Sequence, residues 1–131
     1  MQQPKGKRVL IVEDNDDNAS IYQTVLEHSG FEVMRAADGE QAIEMVVAVP
    51  PDLILMDISL PKRDGWDVAA AIKGNPALQA IPMVAVTALA FEEERRKAEL
   101  LGFDGFLAKP CEPRRVLVEV QRLIGTPIVT A

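Results

Sequence analysis

Five times along this chain of 131 residues a short apolar run is followed by an amphipathic stretch, and that alternation constrains the fold more than any other feature. The runs are Arg8–Val12, Phe31–Arg35, Asp52–Met56, Pro82–Val86 and Gly105–Ala108. Strand-length runs separated by helix-length segments are the pattern of a parallel sheet with crossover helices. The first, third and fourth runs are apolar on both alternating faces, as central strands covered on both sides must be. The second and fifth are mixed and are expected at the edges. Between the runs, Ala19, Tyr22, Val25 and Leu26 keep the three-and-four spacing of one buried helix face. So do Ala42, Ile43, Val46 and Val47, then Gly65, Val68, Ala69 and Ile72, and finally Val116, Leu117, Val120, Leu123 and Ile124. The fourth helix, Phe91 to Leu101, is weaker because Glu92 to Lys97 are all charged, which reads first as a solvated face. The expected fold is α/β, a doubly wound (βα)5 sandwich whose right-handed crossovers leave few topologies. One domain over residues 7–125 is expected, with 1–6 as a flexible arm and 126–131 as a short tail without an effector domain.

Folds of this kind bind ligands beyond the carboxyl ends of their strands. The residues arriving there are Glu13 and Asp14 after the first run, Asp57 after the third, Thr87 after the fourth and Lys109 after the fifth. Taken singly each has an ordinary explanation: a loop cap, a strand former, an exposed lysine. Together they put three carboxylates, a hydroxyl and an amine on one rim. Two carboxylates about 4 Å apart repel by roughly 4 kcal/mol at an effective dielectric near 20, so three cannot all stay ionised without a cation. Oxygen donors select a hard ion, and the set suggests Mg²⁺ with several retained waters.

Composition removes the competitors. Twenty acids against fourteen Lys and Arg leave a formal charge of −6, which argues against general nucleic-acid binding. The surplus lies in residues 1–57, which hold eleven acids and four bases, and there is no Lys or Arg from Val9 to Met34. A single cysteine, Cys111, excludes an internal disulfide, and a single histidine, His28, excludes a His/Cys zinc cluster. The segment Asp14 to Asn18 imitates the start of a calcium loop, but Ala19 stands where that loop needs Gly and Val25 where it needs Glu. The acids at 13–17 would repel the phosphate of a flavin or dinucleotide, and no GxxxxGK[ST] loop exists. The run Val9–Val12 is far shorter than a signal-peptide core of about 7–15 residues. Ile81 to Phe91, interrupted by Pro82 and Thr87, falls short of the roughly 18 residues a membrane span needs, so a cytoplasmic protein is expected.

With these residues in view, the chain resembles the receiver domains of bacterial two-component response regulators. The resemblance runs over about residues 7–124 and rests on VLIVEDN at 9–15, PDLILMDISLP at 51–61, VAVTALA at 84–90 and GFDGFLAKP at 102–110. It implies a flavodoxin-like sheet in the order 2-1-3-4-5 and a stand-alone signalling switch. Asp57 would accept a phosphoryl group from a histidine kinase or histidine phosphotransfer protein. Asp14 and Asp57 would bind Mg²⁺ directly, Glu13 mainly through water, and Ser59 through its backbone carbonyl. Lys109 would pair with the phosphoryl group, and the Lys109–Pro110 bond would be cis. Thr87 would hydrogen-bond a phosphoryl oxygen and Phe106 would change rotamer, altering the helix 4, strand 5 and helix 5 surface where a downstream protein docks. By the same resemblance the chain is no enzyme beyond its own phosphoryl transfer and dephosphorylation, and it is a monomer or weak dimer with neither nucleic acid nor membrane as partner. Two alternatives stay open: a docking module that works without phosphorylation, and an aspartyl-phosphate phosphatase. Ser59 speaks against the second, since such enzymes carry a general-acid Asp at that position.

Some residues depart from the family pattern. Phe106 lacks the hydroxyl of the commoner Tyr, so its two rotamers should differ only by packing. Cys111 replaces a larger apolar residue and reads as packing, as do Trp66 and the methionines, while His28 suits the end of a helix. Ser59 and Leu89 offer neither amide nor carboxylate to orient a water molecule, so slow self-dephosphorylation is expected. A purified phosphoprotein that lost its label within seconds would contradict this.

Overall fold

Alternate residues of the central strands face opposite ways, and both sides are filled. The computed structural model describes residues 7–58, 64–88 and 91–127. It runs β1 (Arg8–Val12), α1 (Asp16–His28), β2 (Glu32–Ala36), α2 (Gly39–Ala48), β3 (Leu53–Asp57), α3 (Gly65–Lys73), β4 (Met83–Thr87), α4 (Glu92–Leu100), β5 (Gly105–Ala108) and α5 (Pro113–Ile124). All strands are parallel, in the order β2-β1-β3-β4-β5. Val9, Ile11, Leu53, Leu55, Val84 and Val86 meet Tyr22 and Leu26 of α1 and Val116 and Val120 of α5. Leu10, Val12, Ile54, Met56, Met83 and Ala85 meet α2, α3 and Ala98 of α4 on the other side. Each fully buried Leu, Ile or Met contributes about 1.5–3 kcal/mol of transfer free energy. The central strands are accordingly the most deeply buried part of the protein.

Edges and centre fall where the apolar patterns put them, and boundaries shift by one residue. β2, β3 and β4 start and end one position later than the runs suggest, so Asp57 and Thr87 are the last strand residues and not the first beyond them. The ladder explains this, because it continues to Asp57 opposite Val86 and Thr87 opposite Ala108. Asp52, read as a strand residue, instead accepts the Arg8 amide on Oδ2 at 2.7 Å. On α2 the buried face is Gly39, Ala42 and Val46, whereas Val47 is 60% exposed. Val46 centres that face, and the next residue lies about 100° further round the helix. The arm at 1–6, residues 128–131 of the tail, Ser59 and Leu89 lie outside the described residues. Among the described residues, no helix is long and apolar enough to cross a membrane.

Helix starts are marked by side chains that satisfy free backbone amides. Asn15 accepts from the Asn18 amide, Asp38 from Gln41 and Asp64 from Asp67, each cap contributing about 1 kcal/mol. Asp16 and Asp17 in the first turn of α1 also suit the helix dipole. Gly65 opens α3 directly beneath the end of β3, where its amide donates to the Ile58 carbonyl at 2.9 Å. A Cβ there would lie 2.8 Å from Ile58 Cα and 2.9 Å from the Asp57 carbonyl oxygen. Both are backbone atoms and cannot swing aside. Gly65→Ala is therefore expected to cost about 2 kcal/mol in a urea titration.

Candidate functional site

Parallel register delivers the rim residues together. The Ile58 amide donates to the Val86 carbonyl at 3.1 Å, immediately beyond Asp57, and the Lys109 amide donates to the Thr87 carbonyl at 2.8 Å. The Glu13 amide donates to the Ala36 carbonyl at 3.0 Å, extending the β1–β2 ladder by one step. Four strands thus release Glu13, Asp57, Thr87 and Lys109 at one end of the sheet, and the Lys109–Pro110 peptide is cis. Glu13, Asp57 and Thr87 are almost fully buried, whereas Asp14 is exposed.

Lys109 sits between two buried carboxylates. Its Nζ lies 2.9 Å from Asp57 Oδ2 and 3.2 Å from Glu13 Oε1. Burial alone would lower the lysine pKa, but the hydrogen bond and charge of Asp57, with those of Glu13, outweigh it and hold the ammonium above its ordinary value. One cation does not balance two carboxylates. Burial first, and then the neighbouring Asp57, push Glu13 from 4.5 up to about 7, although Lys109 pulls the other way. Near neutral pH the cluster therefore holds a proton that a further cation could replace.

The donor set fits such a cation. Oxygens of Glu13, Asp14 and Asp57 lie within 4.8 Å of one another, two of the residues buried and Asp14 open to solvent. Three hard oxygen donors with one exposed side suit Mg²⁺, which binds few carboxylates and keeps waters. The loop that carries Glu13 and Asp14 is braced at both ends. The Asn15 cap starts α1 behind it, and Arg35 of β2 donates from Nε and Nη2 to the Glu13 carbonyl at 3.1 and 2.9 Å.

Residues 9–121 match the family described as the response regulator receiver domain. The chain belongs to that family. Relatives agree along nearly the whole length. The polar-differentiation response regulator DivK of Brucella anthropi is 34% identical over 119 residues, covering 91% of this chain and 97% of DivK. The chemotaxis response regulator CheY4 of Vibrio cholerae superposes with a TM-score of 0.86 at 26% identity, over 91% of this receiver and 99% of CheY4. The receiver domain of the sensor histidine kinase PA1611 from Pseudomonas aeruginosa PAO1 has a TM-score of 0.84 and 33% identity, over 92% and 99% of the two chains. That structure has a magnesium ion coordinated in its active site cleft. Receivers of this kind are switches of two-component signalling that interact with histidine kinases and downstream partners, and are not enzymes in the usual sense.

Of the residues singled out in the sequence, Glu13, Asp14, Asp57, Thr87 and Lys109 of this receiver share the rim, and Ser59 lies outside the described residues. Phe106 stands apart from the carboxylates. It lies opposite Ala85 in the ladder and beneath the Arg95 guanidinium, 4.9 Å from the ring centroid. Its environment is therefore more than packing, since a cation over an aromatic face adds about 0.5–1 kcal/mol at an exposed site. Trp66 is partly buried against Phe103, edge to face at 5.9 Å, with Lys97 Nζ 4.8 Å from its ring. Arg35 was not singled out by the sequence. The available signal was that it is the one Lys or Arg between Arg8 and Lys62, beside the most acidic segment of the chain.

Proposed function

We propose that this receiver, acting as one unit over residues 7–125 in the cytoplasm, takes a phosphoryl group on Asp57 from the phosphohistidine of a histidine kinase or phosphotransfer protein. The observation that carries the reading is Asp57 itself, 5% exposed at the end of a central strand, with Lys109 Nζ at 2.9 Å and two further carboxylates close by. An Asp57 oxygen forms the bond to phosphorus as the bond from phosphorus to the donor's imidazole nitrogen breaks, and that electron pair returns to the imidazole. Lys109, now paired with the Asp57 carboxylate, then pairs with the phosphoryl oxygens instead. Glu13, Asp14 and Asp57 would hold Mg²⁺, with Ser59 offering its carbonyl. Bound there, the ion would neutralise part of the roughly −1.5 to −2 charge that the phosphoryl group carries. The magnesium in the related receiver supports this assignment.

The response would reach a partner through α4, β5 and α5. Of α4 only Ala98 is buried, and Phe91 and Leu100 are 68% and 82% exposed. Arg95, Glu99, Phe106, Glu119 and Arg122 line a shallow groove beside it. A helix with so little buried surface moves at small cost, as a switching element must. Thr87, drawn toward the phosphoryl group, would pull its loop, and Phe106 with Arg95 would rearrange. The test is incubation with Mg²⁺ and a small phosphodonor, followed by intact-mass measurement, with Asp57→Asn as control. Trp66, the single tryptophan, lies under Lys97 of α4 and reports that helix. Thr87→Ala is expected to take up the phosphoryl group yet lose most of the change in Trp66 emission. An unchanged emission response would remove Thr87 from the switch.

A further inference from the structure

We infer that Arg35 is a positioning residue for magnesium, holding the peptide between Glu13 and Asp14 in the plane that aims both carboxylates at the site. The inference rests on the reading of Glu13, Asp14 and Asp57 as the Mg²⁺ site. Arg35 reaches across from β2, and its Nε and Nη2 both donate to the Glu13 carbonyl oxygen, at 3.1 and 2.9 Å. Glu13's amide is tied to the same strand through Ala36. Both backbone groups of Glu13 are therefore fixed from one side. The Glu13 carbonyl and the Asp14 amide belong to one planar peptide unit, so gripping the oxygen also fixes the direction in which Asp14 leaves the chain. A guanidinium has two N–H groups in a rigid fork that can close on one acceptor, whereas an ammonium is a point charge on a flexible stem.

Arg35 also pairs through Nη1 with Asp16 Oδ1 at 2.7 Å. Asp16 is 90% exposed, so that ion pair is well screened and adds little. The weight of the contact lies on the Glu13 carbonyl. A purely electrostatic role would have the opposite sign from positioning. A fixed cation beside the acids repels a second cation, so removing its charge would tighten Mg²⁺ binding. Removing a positioning contact loosens it.

The experiment is calorimetric titration of the full chain with Mg²⁺ at mildly alkaline pH, alongside thermal unfolding in chelator. Arg35→Met keeps the aliphatic stem and removes every donor, Arg35→Lys keeps the charge and removes the fork, and Asp16→Asn breaks only the ion pair. Arg35→Met is expected to weaken Mg²⁺ binding about tenfold, the lower end for outer partners of metal ligands. Arg35→Lys should weaken it nearly as much, and Asp16→Asn by less than about twofold. Equal or tighter binding in folded Arg35→Met overturns the inference, as does an Asp16→Asn loss as large as that of Arg35→Met. If Arg35→Met does not fold, Arg35→Lys decides on the same criterion. Wild-type protein whose Mg²⁺ binding is absent, or survives Asp14→Asn, overturns the site reading and this inference with it. Wild-type binding that Asp14→Asn abolishes and Arg35 substitutions leave intact overturns the inference alone.

Discussion

Asp57→Asn is expected to take up no phosphoryl group at all from a small donor in the presence of Mg²⁺, under conditions where the wild-type protein acquires one. The substitution changes little else. Asparagine has the same shape and keeps an oxygen within reach of the Lys109 ammonium, which lies 2.9 Å from Asp57 Oδ2. What disappears is the carboxylate that forms the new bond, and the amide cannot replace it as a nucleophile. The variant should remain folded, because it removes one of two buried acids sharing a single lysine and relieves the repulsion on Glu13. Circular dichroism and intact mass together settle the matter. An adduct of undiminished yield would move the acceptor to Asp14 or Glu13. No adduct in the wild-type protein would favour the phosphorylation-independent docking module, and turnover of generic phosphomonoesters would revive the phosphatase.

The metal-free protein should lose stability as pH rises from 4.5 through about 7, by up to about 3 kcal/mol, through Glu13 alone. Its pKa is higher in the folded protein than in the unfolded chain, because burial and Asp57 both disfavour the ionised form. Below 4.5 both states hold the proton and this contribution is fully present. Between 4.5 and about 7 the unfolded chain releases the proton and the folded protein keeps it, so each step upward favours unfolding. Above about 7 the contribution is gone. Urea titrations in chelator across this range measure the slope, and Glu13→Gln should flatten it, since the amide resembles the protonated acid. Subtracting the variant's profile removes the other titrating groups. A slope unchanged in Glu13→Gln would assign it elsewhere. Mg²⁺ favours the ionised carboxylate, so its stabilising effect should grow toward neutral and alkaline pH.

Much of this was legible from the residues. Leu53 to Met56 and Met83 to Val86 are apolar on both faces, too short for a buried helix and separated by helix-length segments, which is how the central strands of a sheet covered on both sides read. Strand ends then name the rim, because in this architecture ligands gather beyond them. The errors were local and had local causes. Val47 looked buried because an apolar residue beside Val46 satisfies a spacing rule that tolerates neighbours, while only the helix's rotation against the sheet decides which one points inward. Asp57 and Thr87 looked like loop residues because a polar side chain ends an apolar run even when the backbone ladder continues.

The Arg95 guanidinium over Phe106 and the Arg35 fork on Glu13 illustrate the other class of fact. Both join residues with no shared periodicity, so no pattern along the chain announces them. Periodicity and strand order along the chain were enough to decide the layers, the edge strands and the arrival of Glu13, Asp14, Asp57, Thr87 and Lys109 at one end of the sheet, because those follow from which face each residue must bury and where each strand stops. Tertiary structure alone decided that one lysine serves two buried acids, that burial and the neighbouring Asp57 push Glu13 up to about 7, and that a β2 arginine braces the loop. Those depend on ångström distances between strands far apart in sequence, set by ladder register and by desolvation, which a linear chain does not carry.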